Sequence, residues 1–298
     1  MIKNLKKVIN FLIKNKYIRT PDDIKSVKAL KGGHSKAYLL LIEDKHYVIK
    51  ILPNSWQKRE LDIYNYFLPN ATFKTSRLLD FSTEDGFIIL DYITSEKQRN
   101  NESLNRSEIR ALSYWIEEKK DFFAKKRFDA TPHPEKYIEW MIHDKIDIIN
   151  GVKDPQIILY SDRILNCRDQ LCASLLYPKI NSYMPVLEHN DLEQQNIFIL
   201  KGNVCVIDWA NALYLYGIFD IAQLLKYIIL CDEIYDKLDF LISLINSLPP
   251  IEIIAGHLLI KEINVISFNY LKGGKVWEEK KNDSIKVLEW VFNANLIV

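Results

Sequence analysis

The sequence predicts a two-lobed α+β protein. An antiparallel sheet with one helix comes first, and a mainly helical lobe holding one buried hairpin follows. Three observations carry this. Five short β-like runs with tight connections crowd the first ninety residues. Long helical periodicities dominate from about Ser95 onward. Within that helical part, Asn196–Leu200 and Val204–Ile207 flank Lys201-Gly202-Asn203, a hairpin turn signal. The predicted lobes are residues 1–93 and 94–298, with a short hinge near Asp91–Ser95.

The first fourteen residues repeat apolar side chains at helical spacing, and Asn10, Lys14 and Lys16 interrupt any continuous apolar stretch, so they predict an amphipathic helix rather than a signal peptide. Thr20-Pro21-Asp22-Asp23 is a turn. The β-like runs are Ser26–Leu30, Ala37–Ile42, His46–Leu52, Arg77–Phe81 and Phe87–Tyr92. A helix is expected from Trp56 to Phe67, stopping before Pro69. Beyond the hinge, helices are expected over Ser107–Phe123, Pro134–Ile149, Gln156–Leu176, Ile218–Leu230, Ile234–Leu248, Ile251–Leu271 and Ser284–Ala294, with the hairpin as the one β-like island.

Composition narrows the function. Of 298 residues, 48% are hydrophobic, enough for a sizeable core and too many for a disordered chain. Lys and Arg number 40 against 39 Asp and Glu, a formal charge of +1, which argues against nucleic-acid binding. The balance is uneven: residues 1–93 carry 16 basic and 10 acidic side chains, and the remainder 24 and 29. A basic front suits an anionic ligand such as a nucleotide, although a solvated surface also accounts for it. Cys167, Cys172, Cys205 and Cys231 lack metal-ligand spacing and read as reduced thiols. No stretch has the apolar length of a membrane span. A cytoplasmic protein without membrane or nucleic-acid partners, monomeric or weakly dimeric, is expected.

The chemistry concentrates in Leu187-Glu188-His189-Asn190-Asp191-Leu192-Glu193-Gln194-Gln195-Asn196, followed by Val204-Cys205-Val206-Ile207-Asp208-Trp209. Asp191, Asn196 and Asp208 sit on a loop and hairpin that bring the last two close. Asp208 ends an apolar run, so a carboxylate is presented at the mouth of a buried strand. Phosphoryl transfer needs such a set: one carboxylate to take or orient a hydroxyl proton, and an amide oxygen with a second carboxylate to hold Mg²⁺. Singly, each is an ordinary turn or strand-end residue.

The pattern H-x-D-L-x-x-x-N, then an apolar strand, a turn and I-D-W, resembles the aminoglycoside phosphotransferase and choline kinase-like family, which has a bilobal protein-kinase-like fold. The resemblance implies Asp191 as catalytic base, Asn196 and Asp208 as metal ligands, and His189 as a structural support. Gly217 and Asp220 match the family's G…D-[LI]-A element, with Asp220 expected to cap or brace the helix that follows. Tyr47-Val48-Ile49-Lys50 resembles the family's Y-V-L-K strand, implying that Lys50 contacts the phosphates and that Glu60 pairs with it.

Lys31-Gly32-Gly33-His34-Ser35-Lys36 stands where backbone N–H groups, at Gly33 and Ser35 among others, cover phosphates, although it is neither G-x-G-x-x-G nor a Walker A sequence. Order along the chain assigns adenine to the backbone of Asp91, Tyr92 and Ile93, with Leu90 guarding the pocket.

The expected activity is Mg²⁺-dependent transfer of the γ-phosphoryl group of ATP or GTP to a hydroxyl of a small acceptor, an aminoglycoside-like antibiotic among the candidates. The alternatives are a metabolic kinase of the choline, ethanolamine or sugar type, and a non-catalytic relative. A protein kinase is disfavoured, because Asp208 is followed by Trp209-Ala210 and Asp220 comes only twelve residues later. Candidate acceptor contacts are the acidic groups Asp232, Glu233, Asp236 and Asp239, and Glu117, Glu118 and Asp121, with Trp115, Trp140, Trp277 and Trp290 as possible partners of a quaternary ammonium.

Overall fold

In the computed structural model the described residues are 2–30, 36–52, 57–94, 104–125, 134–181, 183, 185–200, 202–231, 234–244 and 248–294. The chain starts with helix α1 (Ile2–Lys14). Five strands follow: β1 (Ile24–Leu30), β2 (Lys36–Ile42), β3 (Lys45–Ile51), β4 (Leu78–Ser82) and β5 (Phe87–Asp91). They form one antiparallel sheet in the order β1-β2-β3-β5-β4. Between β3 and β4 lies α2 (Gln57–Asp62), which widens into a π-helical turn over Ile63–Phe67.

Strand alternation sorts side chains onto two faces of this sheet. Tyr38, Leu40, Ile42, Ile49, Phe87 and Ile89 form a core with Val8 and Leu12 of α1 and with Ile18. Phe11 meets Phe87 edge-on at 5.0 Å. Burying an aliphatic side chain such as Leu12 contributes about 1.5–3 kcal/mol. Lys50 follows Ile49 and is paired with Ile88, so it leaves β3 on the face opposite α1.

The remaining elements are α3 (Arg106–Ala124), α4 (Pro134–Ile149), α5 (Pro155–Asn166), α6 (Arg168–Ile180), β6 (Val186–Glu188), β7 (Ile197–Leu200), β8 (Asn203–Val206), β9 (Leu213–Leu215), α7 (Phe219–Ile229), α8 (Ile234–Leu244), α9 (Ile251–Lys272) and α10 (Gly274–Asn293). Two compact units result. One comprises Met1–Arg99, Gln195–Lys201 and Cys205–Asn211, and the other holds the rest. The hairpin β7–β8, apart from its tip, therefore belongs with the N-terminal sheet.

In the helical unit α9 is the central element, buried around its circumference from Ile254 to Ile263 and packed against α4, α6, α7 and α10. An Asn105–Glu108 capping box starts α3, and Asp154 with Pro155 starts α5. Gly273, at φ 64°, ends α9 in a left-handed conformation that only glycine adopts cheaply.

The structure corrects three sequence expectations. Gln156–Leu176 is two helices with a break at Cys167, because α5 packs against α10 and α6 against α9. The last helix starts at Gly274, ten residues before the expected Ser284; its first half is so polar that the apolar period is hidden, although Trp277 anchors it. The hairpin is not the sole β element of the C-terminal region, since β6 and β9 pair antiparallel. Three-residue strands are too short to show a period. No helix among the described residues is long and apolar enough to cross a membrane.

Candidate active site

Within the N-terminal unit, Lys50 donates to Oε1 of Glu60 at 2.6 Å and to Oδ1 of Asp208 at 2.5 Å. Glu60 is 1% exposed, whereas the Asp208 side chain is 42% exposed. One carboxylate is thus sealed beneath the lysine while the other faces outward. Burial works against the Lys50 ammonium, but the charges of Glu60 and Asp208 prevail and raise its pKa above the ordinary lysine value. Burial raises the Glu60 pKa, and Lys50 only partly offsets this. The Tyr64 phenol, wholly buried, is held well above its usual pKa by burial and by the Glu60 charge, and it shares a 3.1 Å hydrogen bond with Ser76.

Asp208 adopts φ 65°. A non-glycine residue in the left-handed region is uncommon, though Asp tolerates it better than most. Its neighbours hold it there. Trp209, fully buried, donates from Nε1 to Thr75 Oγ1 at 2.7 Å. The Thr75 hydroxyl donates onward to the Val206 carbonyl at 2.8 Å. Phe73 packs on the Trp209 ring at 5.8 Å, and Thr75 makes a parallel bridge to Val206. The stretch around Thr75 thus lies along the end of β8 through one isolated bridge. Nothing in the sequence around Thr75 signals this, because a single bridge leaves no period. The Ile207 N–H donates to the Asn196 carbonyl at 2.9 Å, bringing the backbones of the two predicted metal-ligand segments together.

Asp191 belongs to the helical unit, on the loop after β6, which is braced from below. The two oxygens of the buried Glu188 accept the N–H groups of Gly217 and Asp220, each at 2.8 Å, at the start of α7. Asp220 returns the exchange. Its Oδ2 accepts the His189 N–H at 2.9 Å, and its Oδ1 the Asn190 N–H at 2.9 Å. Asp220 therefore braces the preceding loop instead of capping its own helix; Glu188 supplies that capping from β6. Gly217 has φ 80°, and a Cβ there would lie 3.3 Å from the side chains of Lys120 and Val186.

Lys119, fully buried on α3, supplies a positive charge beside the two acids, donating to Asp220 at 2.7 Å and to the Leu187 carbonyl at 3.1 Å. Burial and the Asp220 carboxylate push Glu188 up to about 7. Burial also works to raise Asp220, but Lys119 outweighs it and holds Asp220 below the usual carboxylate value. His189 is wholly buried within this frame. Farther along the loop, the Tyr227 hydroxyl donates to the Leu192 carbonyl. Glu188, Lys119 and Thr75 carry no sequence motif of their own. Burial of an acid and a base on β6 and α3 becomes visible only once the two elements are packed.

The other predicted residues are placed as follows. Gly33 and Ser35 lie outside the described residues. The Asp91 N–H is committed to the Arg77 carbonyl at 3.0 Å, and its carboxylate accepts the Arg77 N–H at 2.5 Å. Tyr92 is partly exposed beside His46, and Leu90 is buried. Ile93 follows the end of β5. Among the acidic candidates, Asp236 pairs with Arg106 at 2.5 Å and Glu117 with Lys120 at 3.5 Å, as solvated helix faces do. Asp232 and Glu233 lie outside the described residues. Trp115 and Trp277 are core residues, whereas Trp140 is half-exposed.

A hard cation such as Mg²⁺ prefers oxygen donors and keeps most of its shell for water and phosphate. The outward-facing Asp208 carboxylate fits that demand; Asn196, whose amide oxygen is a donor of the right type, is buried. No cluster of three His, Cys, Asp or Glu side chains suited to a metal occurs among the described residues.

No family model matches the chain. No curated protein is significantly similar to it. Solved structures are. The amicoumacin kinase hAmiN, in complex with AMP-PNP, Ca²⁺ and Ami, aligns over 100% of this chain and 98% of its own, with TM-score 0.68 and 13% identity. A choline kinase from Cryptosporidium parvum aligns over 97% and 96%, with TM-score 0.67 and 17% identity. The ADP-bound aminoglycoside phosphotransferase APH(2'')-Ib aligns over 94% and 96%, with TM-score 0.57 and 20% identity. The chain has the α+β, protein-kinase-like fold that these kinases share.

Proposed function

We propose that this protein is a small-molecule kinase that transfers the γ-phosphoryl group of ATP to a hydroxyl of its acceptor. The observation that carries the proposal is the arrangement of Lys50 between a buried and an outward carboxylate, with Asp208 held in a left-handed turn. A purely structural lysine needs no second, half-exposed carboxylate at 2.5 Å. A nucleotide site does, because the lysine must be aimed at phosphate oxygens while the outer carboxylate stays available.

In this reading Glu60 aims Lys50 at the nucleotide phosphates, and Asn196 with Asp208 would hold Mg²⁺, whose charge offsets that of the phosphates. Asp191 accepts the proton of the acceptor hydroxyl. The hydroxyl oxygen bonds to the γ-phosphorus, the bond to the bridging oxygen breaks, and ADP departs with that electron pair. The brace of Glu188, Asp220 and Lys119 keeps the Asp191 loop in place without entering the chemistry.

The similar kinases solved with ADP or AMP-PNP support ATP as donor. A peptide acceptor is disfavoured. Between Asp208 and Asp220 the chain is occupied by a short helical turn at Trp209–Asn211 and by β9, which is paired to β6. The acceptor class is a hydroxylated small molecule. Aminoglycosides, choline and ethanolamine form the first panel, because the structural neighbours act on or are named for such compounds.

The test is ADP release with ATP or GTP across that panel, on the native chain and on Asp191→Ala and Asp208→Ala. Turnover by the native chain that both variants lose by roughly a thousandfold supports the proposal. Unchanged turnover in either variant, or no nucleotide binding at millimolar Mg²⁺ and ATP, rejects it.

A further inference from the structure

Lys261 stands in the middle of α9, where Leu258, Leu259, Ile260 and Ile263 are all fully buried. The residue itself is 9% exposed. Its Nζ donates to the Asn190 carbonyl at 3.0 Å. Its helix neighbour Glu262 is committed elsewhere, to Lys226 at 2.7 Å and Ser284 at 2.5 Å. Among the described residues no carboxylate lies within ion-pair distance of Lys261, and the carbonyl is its hydrogen-bond partner. Burying an ammonium against a lone carbonyl is costly, and an aliphatic residue would fill this helix position more cheaply.

The bonded carbonyl belongs to the peptide that joins Asn190 to Asp191. Asn190 has φ 58°, an uncommon left-handed conformation, and its N–H is taken by Asp220. The peptide units on both sides of Asn190 are therefore held, one by a carboxylate from α7 and the other by an ammonium from α9. We infer that Lys261 is a positioning residue that fixes the Asn190–Asp191 peptide and so sets the direction from which Asp191 acts. The inference deepens the kinase reading and rests on it for the role of Asp191. The clamp itself rests on geometry alone.

Lys261→Met, Lys261→Gln and Lys261→Arg are compared by amide hydrogen exchange over residues 187–195 without ligands, and by steady-state kinetics. Lys261→Met is expected to speed exchange in that loop by roughly tenfold or more while α7 and α9 stay protected. It is expected to lower kcat by roughly a hundredfold, because small misplacement of a catalytic group is enough, and to leave the KM for ATP within about twofold. Lys261→Arg restores most of both. Lys261→Gln, which keeps a donor without the charge, serves if Lys261→Met does not fold, and is expected to fall between them. Unchanged loop exchange and kcat in Lys261→Met, or in Lys261→Gln where that replaces it, overturns the inference. Equal damage in Lys261→Arg and Lys261→Met also overturns it, because it marks packing alone. If the native chain phosphorylates nothing while Lys261→Met still loosens only the loop, the kinase reading fails and the clamp stands.

Discussion

The ammonium of Lys50 lies 2.5 Å from Oδ1 of Asp208, a residue 158 positions away in the chain, and this contact ties β3 to the end of the β7–β8 hairpin. The buried side of the same ammonium is closed by Glu60, whose carboxylate has almost no access to solvent. Removing one partner of a buried pair leaves the other charge without compensation.

Lys50→Met should therefore destabilise the protein by about 3 kcal/mol, the lower end of the range for breaking a buried pair. Lys50→Met combined with Glu60→Leu should recover a large part of that loss while leaving turnover abolished. Urea denaturation of Lys50→Met, Glu60→Leu and the double variant closes the double-mutant cycle. Additive losses would mean that the two side chains do not interact energetically.

Asp208 combines a left-handed backbone with a half-exposed carboxylate. Asp208→Gly should relieve the left-handed conformation and stabilise the fold by about 1 kcal/mol, set against the loss of one ion pair. Nucleotide affinity should fall because an oxygen donor is gone. Isothermal titration with ATP in the presence of Mg²⁺ measures this. Native-like affinity in Asp208→Gly would remove Asp208 from the nucleotide site.

Thr75 serves two partners at once, accepting from Trp209 and donating to Val206. Thr75→Val keeps the shape and leaves a buried indole N–H unsatisfied, at a cost of about 1–3 kcal/mol. The KM for ATP should rise as the turn at Asp208 loosens. Thr75→Ser should restore both stability and KM. A thermal melt and a kinetic titration of the two variants suffice.

His257 on α9 is buried beside the Phe219 ring, with Nδ1 2.8 Å from the Ile253 carbonyl. Burial lowers its pKa from 6.5 to about 4. The unfolded chain therefore binds the proton more readily. The stability contributed by the neutral ring is complete above pH 6.5 and is lost as the pH falls toward 4. The loss over that window is of the order of 3 kcal/mol. His257→Leu should flatten the acid limb of the stability profile between pH 6.5 and 4. Denaturation midpoints measured across that range would show it, and an unchanged slope would contradict the assignment.

Much of the N-terminal sheet was legible from residues 24–92, because amphipathic alternation and tight turns are local features. The predicted strands lie within one or two residues of β1–β5. The helix from Trp56 was legible in its apolar face but not in its widening to a π turn at Ile63–Phe67. Motif and order along the chain named Lys50, Glu60 and Asp208, which the structure brings into contact, and the roles read for Asp191 and Asn196 belong to the proposed function. Glu188, Lys119, Thr75 and Lys261 were not. Each acts through partners far away in the chain, and isolated long-range contacts impose no spacing on the sequence.

By itself the sequence determined the five strands of the N-terminal sheet, most of the helical segments, and which polar residues cluster along the chain near Asp191 and Asp208. Those properties follow from side-chain period, turn chemistry and neighbour order, all of which act over a few residues. Tertiary structure alone decided that the Glu60 carboxylate is sealed from solvent while Asp208 stays half-exposed, that Asp220 braces a loop rather than its own helix, and that a helix-borne lysine holds the Asn190 carbonyl. The physical reason is burial. A charged group deep in a protein is tolerated only where an oppositely charged or hydrogen-bonding partner meets it, and packing between distant elements determines where that meeting takes place.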